Sequence, residues 1–172
     1  MKSKTQELSA VGFGAWIPAS YRGEQFGIGF GCTLPQDATL TYSVQHSFSD
    51  PANQIKCSIT AAGTTATITF PTAHNLNDDD TVTLNGSRTA GFTGTYAVVN
   101  VASTTTVTIT IASTTATEDV WVTPMVVFNH DTVAAQTVEA DGGYVLPPSA
   151  VRTVITAYTD GFLSTTFHFL SS

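Results

Sequence analysis

The chain has 172 residues, with 13 Asp+Glu against 6 Lys+Arg for a formal charge of −7, and only 11% of its residues are charged. A globular domain usually carries about 25%. Here 31 threonines fill the gap, and their branched β-carbons favour pleated sheet over helix.

This balance excludes helical bundles, coiled coils and charged disordered tails. No stretch approaches the roughly 20 apolar residues of a membrane helix. The six bases, Lys2, Lys4, Arg22, Lys56, Arg88 and Arg152, are scattered, whereas phosphate neutralisation needs them clustered. Neither nucleic acid nor membrane is therefore expected as a partner.

Residues 1–20 read as an N-terminal arm. The segment from Met1 to Leu8 is polar, and no apolar run follows Lys2 and Lys4, so it does not read as a secretory signal. Gly12, Gly14 and Pro18 then punctuate a short stretch holding Phe13, Trp16 and Ile17. Those three side chains predict docking on another subunit.

From Phe26 the chain alternates with period two: Phe26, Ile28, Phe30 and Cys32 on one face, Gly27, Gly29 and Gly31 on the other. A glycine face lets another backbone or ring approach closely. Phe13, Trp16, Ile17, Gly27, Gly29 and Gly31 are thus the candidate residues for an interface with another subunit. A second alternating strand follows over 40–48, with Leu40, Tyr42, Val44, His46 and Phe48 on one face. Asp50-Pro51 closes it with turn chemistry.

Residues 57–119 change character, rich in Thr, Ala, Val and Gly with Arg88 as their one base. Short strands are expected at 57–62, 65–70, 80–85, 94–101 and 105–112, a pattern that suits a small barrel or sandwich. The body pattern resumes at Trp121, in a strand over 120–128 made an edge or bulge by Pro124. Asp141-Gly142-Gly143 reads as a turn, and strands at 151–158 and 163–170 form a last hairpin about Thr159-Asp160-Gly161. The resulting fold is all-β: a β-sandwich (jelly-roll-like) body of residues 21–56 and 120–172, interrupted by a small β-barrel-like domain of residues 57–119.

No catalytic, cofactor-binding or metal-ligating constellation emerges, and neither enzyme activity nor a cofactor is expected. Gly27-Ile28-Gly29-Phe30-Gly31 has the look of a phosphate loop, but Thr33-Leu34-Pro35 cannot open the helix such a loop requires. Asp78-Asp79-Asp80 lacks the spaced oxygens of a calcium loop and reads as a solvated turn. His46, His74, His130 and His168 lie far apart with no metal-ligand pairing, and no Gly-x-Ser-x-Gly elbow is present. Cys32 and Cys57 read as free thiols in a reducing compartment, without neighbouring bases to activate them. Glycan binding wants exposed aromatics, whereas Trp16 and Trp121 are expected in the core.

The central segment carries the most specific pattern: His74-Asn75-Leu76, Asp80-Thr81-Val82-Thr83-Leu84-Asn85-Gly86, then Gly91-Phe92-Thr93-Gly94-Thr95-Tyr96-Ala97-Val98. Over about 50 residues it resembles a small β-module recurring in tailed-phage virion proteins, with Asp79 standing where the pattern has glycine. The flanks, including Gly14-Ala15-Trp16-Ile17-Pro18, Phe128-Asn129-His130 and Ala140-Asp141-Gly142, are similar to small virion structural proteins of tailed bacteriophages. That resemblance implies a capsid decoration, or cement, protein located in the virion and assembled in the host cytoplasm. Its implied partners are the major capsid protein and copies of itself, as a homotrimer. Alternatives are a tail, baseplate or head–tail joining component, and a host-surface glycan-binding module.

Overall fold

The computed structural model describes residues 2–19, 25–145 and 148–171. Arg22 and the expected start of the body at residue 21 lie outside the described residues, as does the side chain of Phe26. The strands are β1 (Lys2–Leu8), β2 (Gly12–Phe13), β3 (Ile17–Pro18), β4 (Gln25–Thr33), β5 (Thr39–Ser47), β6 (Ile55–Thr69), β7 (Thr81–Asn85), β8 (Gly94–Ser103), β9 (Thr106–Met125), β10 (Phe128–Asn129), β11 (Ala140–Tyr144), β12 (Ala150–Asp160) and β13 (Leu163–Ser171). There is no helix among the described residues.

The strands gather into two compact units, Met1–Phe48 with Phe128–Ser172, and Ser49–Val127. The first is a β-sandwich. One sheet has the order β1-β13-β4-β11; the other has β10-β5-β12-β2, with β3 also on β12. Counted along the chain, with β2 and β3 taken as one interrupted strand, the body's strands read 1-8-3-6 and 5-4-7-2. That is the double Greek-key order of a jelly roll. Ile28, Phe30 and Phe167 from the first sheet share one core with Tyr42, Val44 and Val151 from the second. The alternation read along β4 and β5 thus selects their inward faces correctly.

Three expectations about the body are corrected. Residues 2–18 are not an arm laid on another subunit. β1 pairs with β13 from Lys2↔Phe169 to Leu8↔Leu163, and β2 and β3 pair with β12. Gln6 fastens them, accepting hydrogen bonds at Oε1 from Thr153 N (2.9 Å) and Thr153 Oγ1 (3.0 Å) and donating from Nε2 to Ala15 O. Secondly, Asp141-Gly142-Gly143 is not a turn but the middle of β11, paired with Gly31, Phe30 and Gly29. Glycine is needed at 142 because a Cβ there would stand 2.7 Å from Phe30 Cζ. Thirdly, the body does not resume at Trp121, which lies within β9 of the second unit.

The second unit is one antiparallel sheet of order β6-β9-β7-β8, with β8 also reaching β9. It is wider at both ends than residues 57–119, because β6 and β9 pair from Ile55↔Val122 to Thr69↔Thr106. Gly63 interrupts this ribbon only as a bulge. Pro124 is tolerated because it lies beyond the β6 ladder, where β7 alone pairs with β9. Among the described residues β6 has no second neighbour, so the sheet stays open and does not close into the expected barrel. Ile59, Ile68, Leu84, Phe92, Val107 and Val122 are central to its own core.

Candidate functional site

The densest gathering of chemically versatile side chains lies in the body. β5 carries His46, the β10 register sets Phe128 opposite it, β11 supplies Tyr144, and the segment after β10 supplies His130. Centroid separations from the Tyr144 ring are 5.0 Å to His46 and 4.9 Å to His130. His46 also stacks on Phe128 at 5.5 Å and meets Phe48 edge-on at 5.5 Å, while His130 meets Phe30 at 5.0 Å. A cleft of about 460 Å³ is lined by His46, His130, Asp131, Thr132, Gly143, Tyr144 and Val145.

At His130, Nε2 donates to Gly143 O (3.2 Å) and Nδ1 accepts from Thr132 N (3.4 Å). Burial, reinforced by neighbouring His130 and opposed by Asp131, holds His46 below the usual histidine range. Burial, with Asp131 and Cys32 nearby, raises the Tyr144 phenol. His46 Nδ1 and the Tyr144 hydroxyl are buried with no hydrogen-bond partner among the described residues. The cleft is lined by two imidazoles, a phenol, a threonine hydroxyl and one carboxylate. No group of three His, Cys, Asp or Glu among the described residues is placed to hold a metal ion.

The six interface candidates separate. Phe13 and Trp16 clasp the guanidinium of Arg152, each ring centroid 4.3 Å from Cζ. Arg152 is fully buried and donates from Nε (3.0 Å) and Nη2 (2.7 Å) to Gln45 Oε1. Burial lowers its pKa to about 9, so it stays charged at neutral pH. Ile17 is buried in the body's own core. Gly27 is buried, whereas Gly29 and Gly31 face open space, with nothing within 4 Å of a Cβ built there.

The residues that carry the resemblance serve the fold of the second unit. His74 is buried, accepting at Nδ1 from Leu76 N (2.9 Å) with Nε2 3.1 Å from Ser103 O. Phe92 fills the core at 0% exposure, Gly91 takes a φ of 93°, and the Tyr96 hydroxyl closes the loop on Gly91 O at 2.5 Å. Asp79 adopts a φ of 69°, so it holds the left-handed turn that a glycine would hold there.

The Asp78–Asp80 run is less solvated than its sequence suggests. Asp80 is buried and accepts from Asn77 N (2.7 Å) and Val127 N (2.6 Å), and Asp78 accepts from Val101 N (2.9 Å). Both cysteines are buried and free; burial raises Cys32 and pushes Cys57 up to about 12. Trp121 departs from the core role expected of it, at 47% exposed. It lies between Asn85 and Lys56 on neighbouring strands.

Sequence reasoning missed the meeting of His46 with His130. Its only advance signal was Phe128-Asn129-His130, which the sequence offered only as part of the flanking resemblance, with no hint that β10 pairs with β5. No family model, curated protein or solved structure matches the chain.

Proposed function

We propose that the chain is a non-enzymatic structural protein of a tailed-phage virion, a decoration protein that binds the outer shell and stabilises contacts between capsid subunits. The observation that carries this reading is the jelly-roll body interrupted between its fourth and fifth strands, β5 and β10, by a compact module in which His74, Phe92 and Tyr96 serve its own fold. Double Greek-key sandwiches are a common solution for capsid proteins and lectins, which work by presenting surfaces. Binding to assembled shell and not to free subunits shifts the equilibrium towards the shell by mass action, without catalysis. The major capsid protein is the partner. Co-sedimentation with purified capsids, followed by heating, tests this: bound chain should raise the temperature at which shells disassemble. A chain that stays in the supernatant at saturating concentration contradicts it. A tail or baseplate station is separated from the shell by imaging intact virions.

A second reading has one specific observation in its favour. Trp121 is exposed on a sheet face beside Asn85 and the Lys56–Asp119 ion pair (2.9 Å). An indole flanked by an amide and neutral-sum charges suits a sugar ring. A glycan array with the native chain and Trp121→Ala decides it: the reading requires binding that the substitution abolishes.

A further inference from the structure

The edges of the two units are guarded differently. β1, an outer strand of the body, carries Lys2, Lys4 and Glu7. Such charges are the usual defence of an exposed strand edge against pairing with another chain. β6 is an outer strand of the second unit and, among the described residues, pairs only with β9. Between Lys56 and Pro71 it has no charge and no proline. Its outward side chains Ser58, Thr60 and Thr69 are exposed and Thr67 is half-buried. A long, uncharged edge of alternating β-branched residues is a template for strand addition.

The sequence of this edge also matches itself in reverse. Read forward, Cys57-Ser58-Ile59-Thr60-Ala61 alternates buried and exposed; read backward, Phe70-Thr69-Ile68-Thr67-Ala66 does the same, with Thr67 half-buried. Buried positions are odd-numbered before Gly63 and even-numbered after Thr65, because the bulge between them shifts the phase. Register slips of one residue turn every side chain to the wrong face. Here an antiparallel partner related by a two-fold axis at Gly63–Thr64 keeps the faces matched. It sets Ile59 against Ile68, Ala61 against Ala66, Thr60 against Thr67 and Ser58 against Thr69. The two Lys56–Asp119 pairs then lie at opposite ends, about 50 Å apart at ~3.3 Å per residue, so like charges do not meet.

We infer that β6 pairs antiparallel with β6 of a second copy across this axis, joining two four-stranded sheets into one. The contact is isologous and closes at two copies. It replaces the arm as the route to self-association, since β1 to β3 are consumed within their own body.

Light scattering behind size exclusion, from micromolar to millimolar full-length chain, should give twice the monomer mass. Thr60→Lys with Thr67→Lys sets lysine against lysine twice and should halve that mass. Thr60→Lys with Thr67→Glu sets lysine against glutamate twice and should restore the dimer. Hydrogen exchange should show protection of amides in 57–69 that rises with concentration, a readout that stands even where a variant misfolds. A native monomer, a trimer, a dimer indifferent to the double lysine substitution, or concentration-independent exchange would each overturn the inference. It does not rest on shell binding: a monomer that decorates shells refutes the edge pairing alone, and a dimer that ignores shells refutes the decoration reading alone.

Discussion

Arg152 is a full positive charge with 0% exposure, and its side-chain acceptor is Gln45 Oε1. Its Nη1 has no acceptor among the described residues. Desolvating such a cation costs several kcal/mol, which the Phe13 and Trp16 rings and two charge-assisted hydrogen bonds offset. The two partners should therefore respond unequally to removal. Gln45→Leu leaves the guanidinium buried without its acceptor and should cost about 3 kcal/mol, part of it from the lost Gln45–Asn129 hydrogen bond (3.0 Å). Arg152→Met keeps the stem packing between the two rings and removes the charge, and should cost less than about 1 kcal/mol. The double variant should recover most of the loss.

At roughly 4–8 °C per kcal/mol for a unit of the body's size, Gln45→Leu should lower the melting temperature of the body by about 12–24 °C. The transition to follow is that of the body, reported by Trp16 fluorescence in a Trp121→Phe background. Because Arg152 has its pKa lowered to about 9 by folding, its burial penalty is complete below that pH and is relieved as pH rises towards the unfolded value. Body stability should then gain from this group above about pH 9, and Arg152→Met should remove that gain. If Arg152→Met costs as much as Gln45→Leu, the clasped cation is a net stabiliser and the reasoning is wrong.

Further predictions concern the second unit. Asp79→Gly should raise its unfolding midpoint, by about 0.5–1 kcal/mol in urea followed at Trp121, because glycine adopts the φ of 69° without strain. Glu118 accepts hydrogen bonds from Ser87 Oγ, Arg88 N and Thr89 N, the Ser87 bond chiefly holding its pKa down to about 2 from a usual 4.5. Its contribution is therefore present above about pH 4.5 and lost as pH falls towards 2, and acid titration of Glu118→Gln should lack that loss. Replacing residues 49–127 with a short Gly/Ser turn should leave a cooperatively folding body, since His46 and Phe128 already pair across β5 and β10. Circular dichroism with a single sharp transition is the expected result, and aggregation of every linker length would count against it.

Where one face of a strand is buried, the sequence announced it: β4 and β5 were legible from alternation, whereas β12, buried on both faces over 150–155, was placed together with β13 by the turn signal between them. β1 was not, because Lys2, Lys4 and Glu7 hide a strand held by its ladder and by Gln6. The unit boundary was misplaced because composition changes near residue 119 while β9 runs on to Met125. Hydrogen bonding, not composition, ends that strand. The two-glycine sequence at 142–143 signals a turn in isolation, and only the Phe30 ring against Gly142 and the Ile28 carbonyl against Gly143 explain why both glycines sit mid-strand. The histidine–aromatic cleft depended on long-range registers, β10 on β5 and β11 on β4, that no local pattern encodes. Trp121 was misread because its neighbours Val120 and Val122 are core residues, while it alternates to the open face.

The measurement that bears most directly on the proposed role is a search for the chain by mass spectrometry in purified tailed-phage particles from the source of this sequence, with a cryo-EM reconstruction of the same particles. The account predicts the chain at stoichiometric copy number, with its jelly-roll body resolved on the outside of the shell across capsid-subunit boundaries. Purified, infectious particles that lack the chain altogether would contradict it.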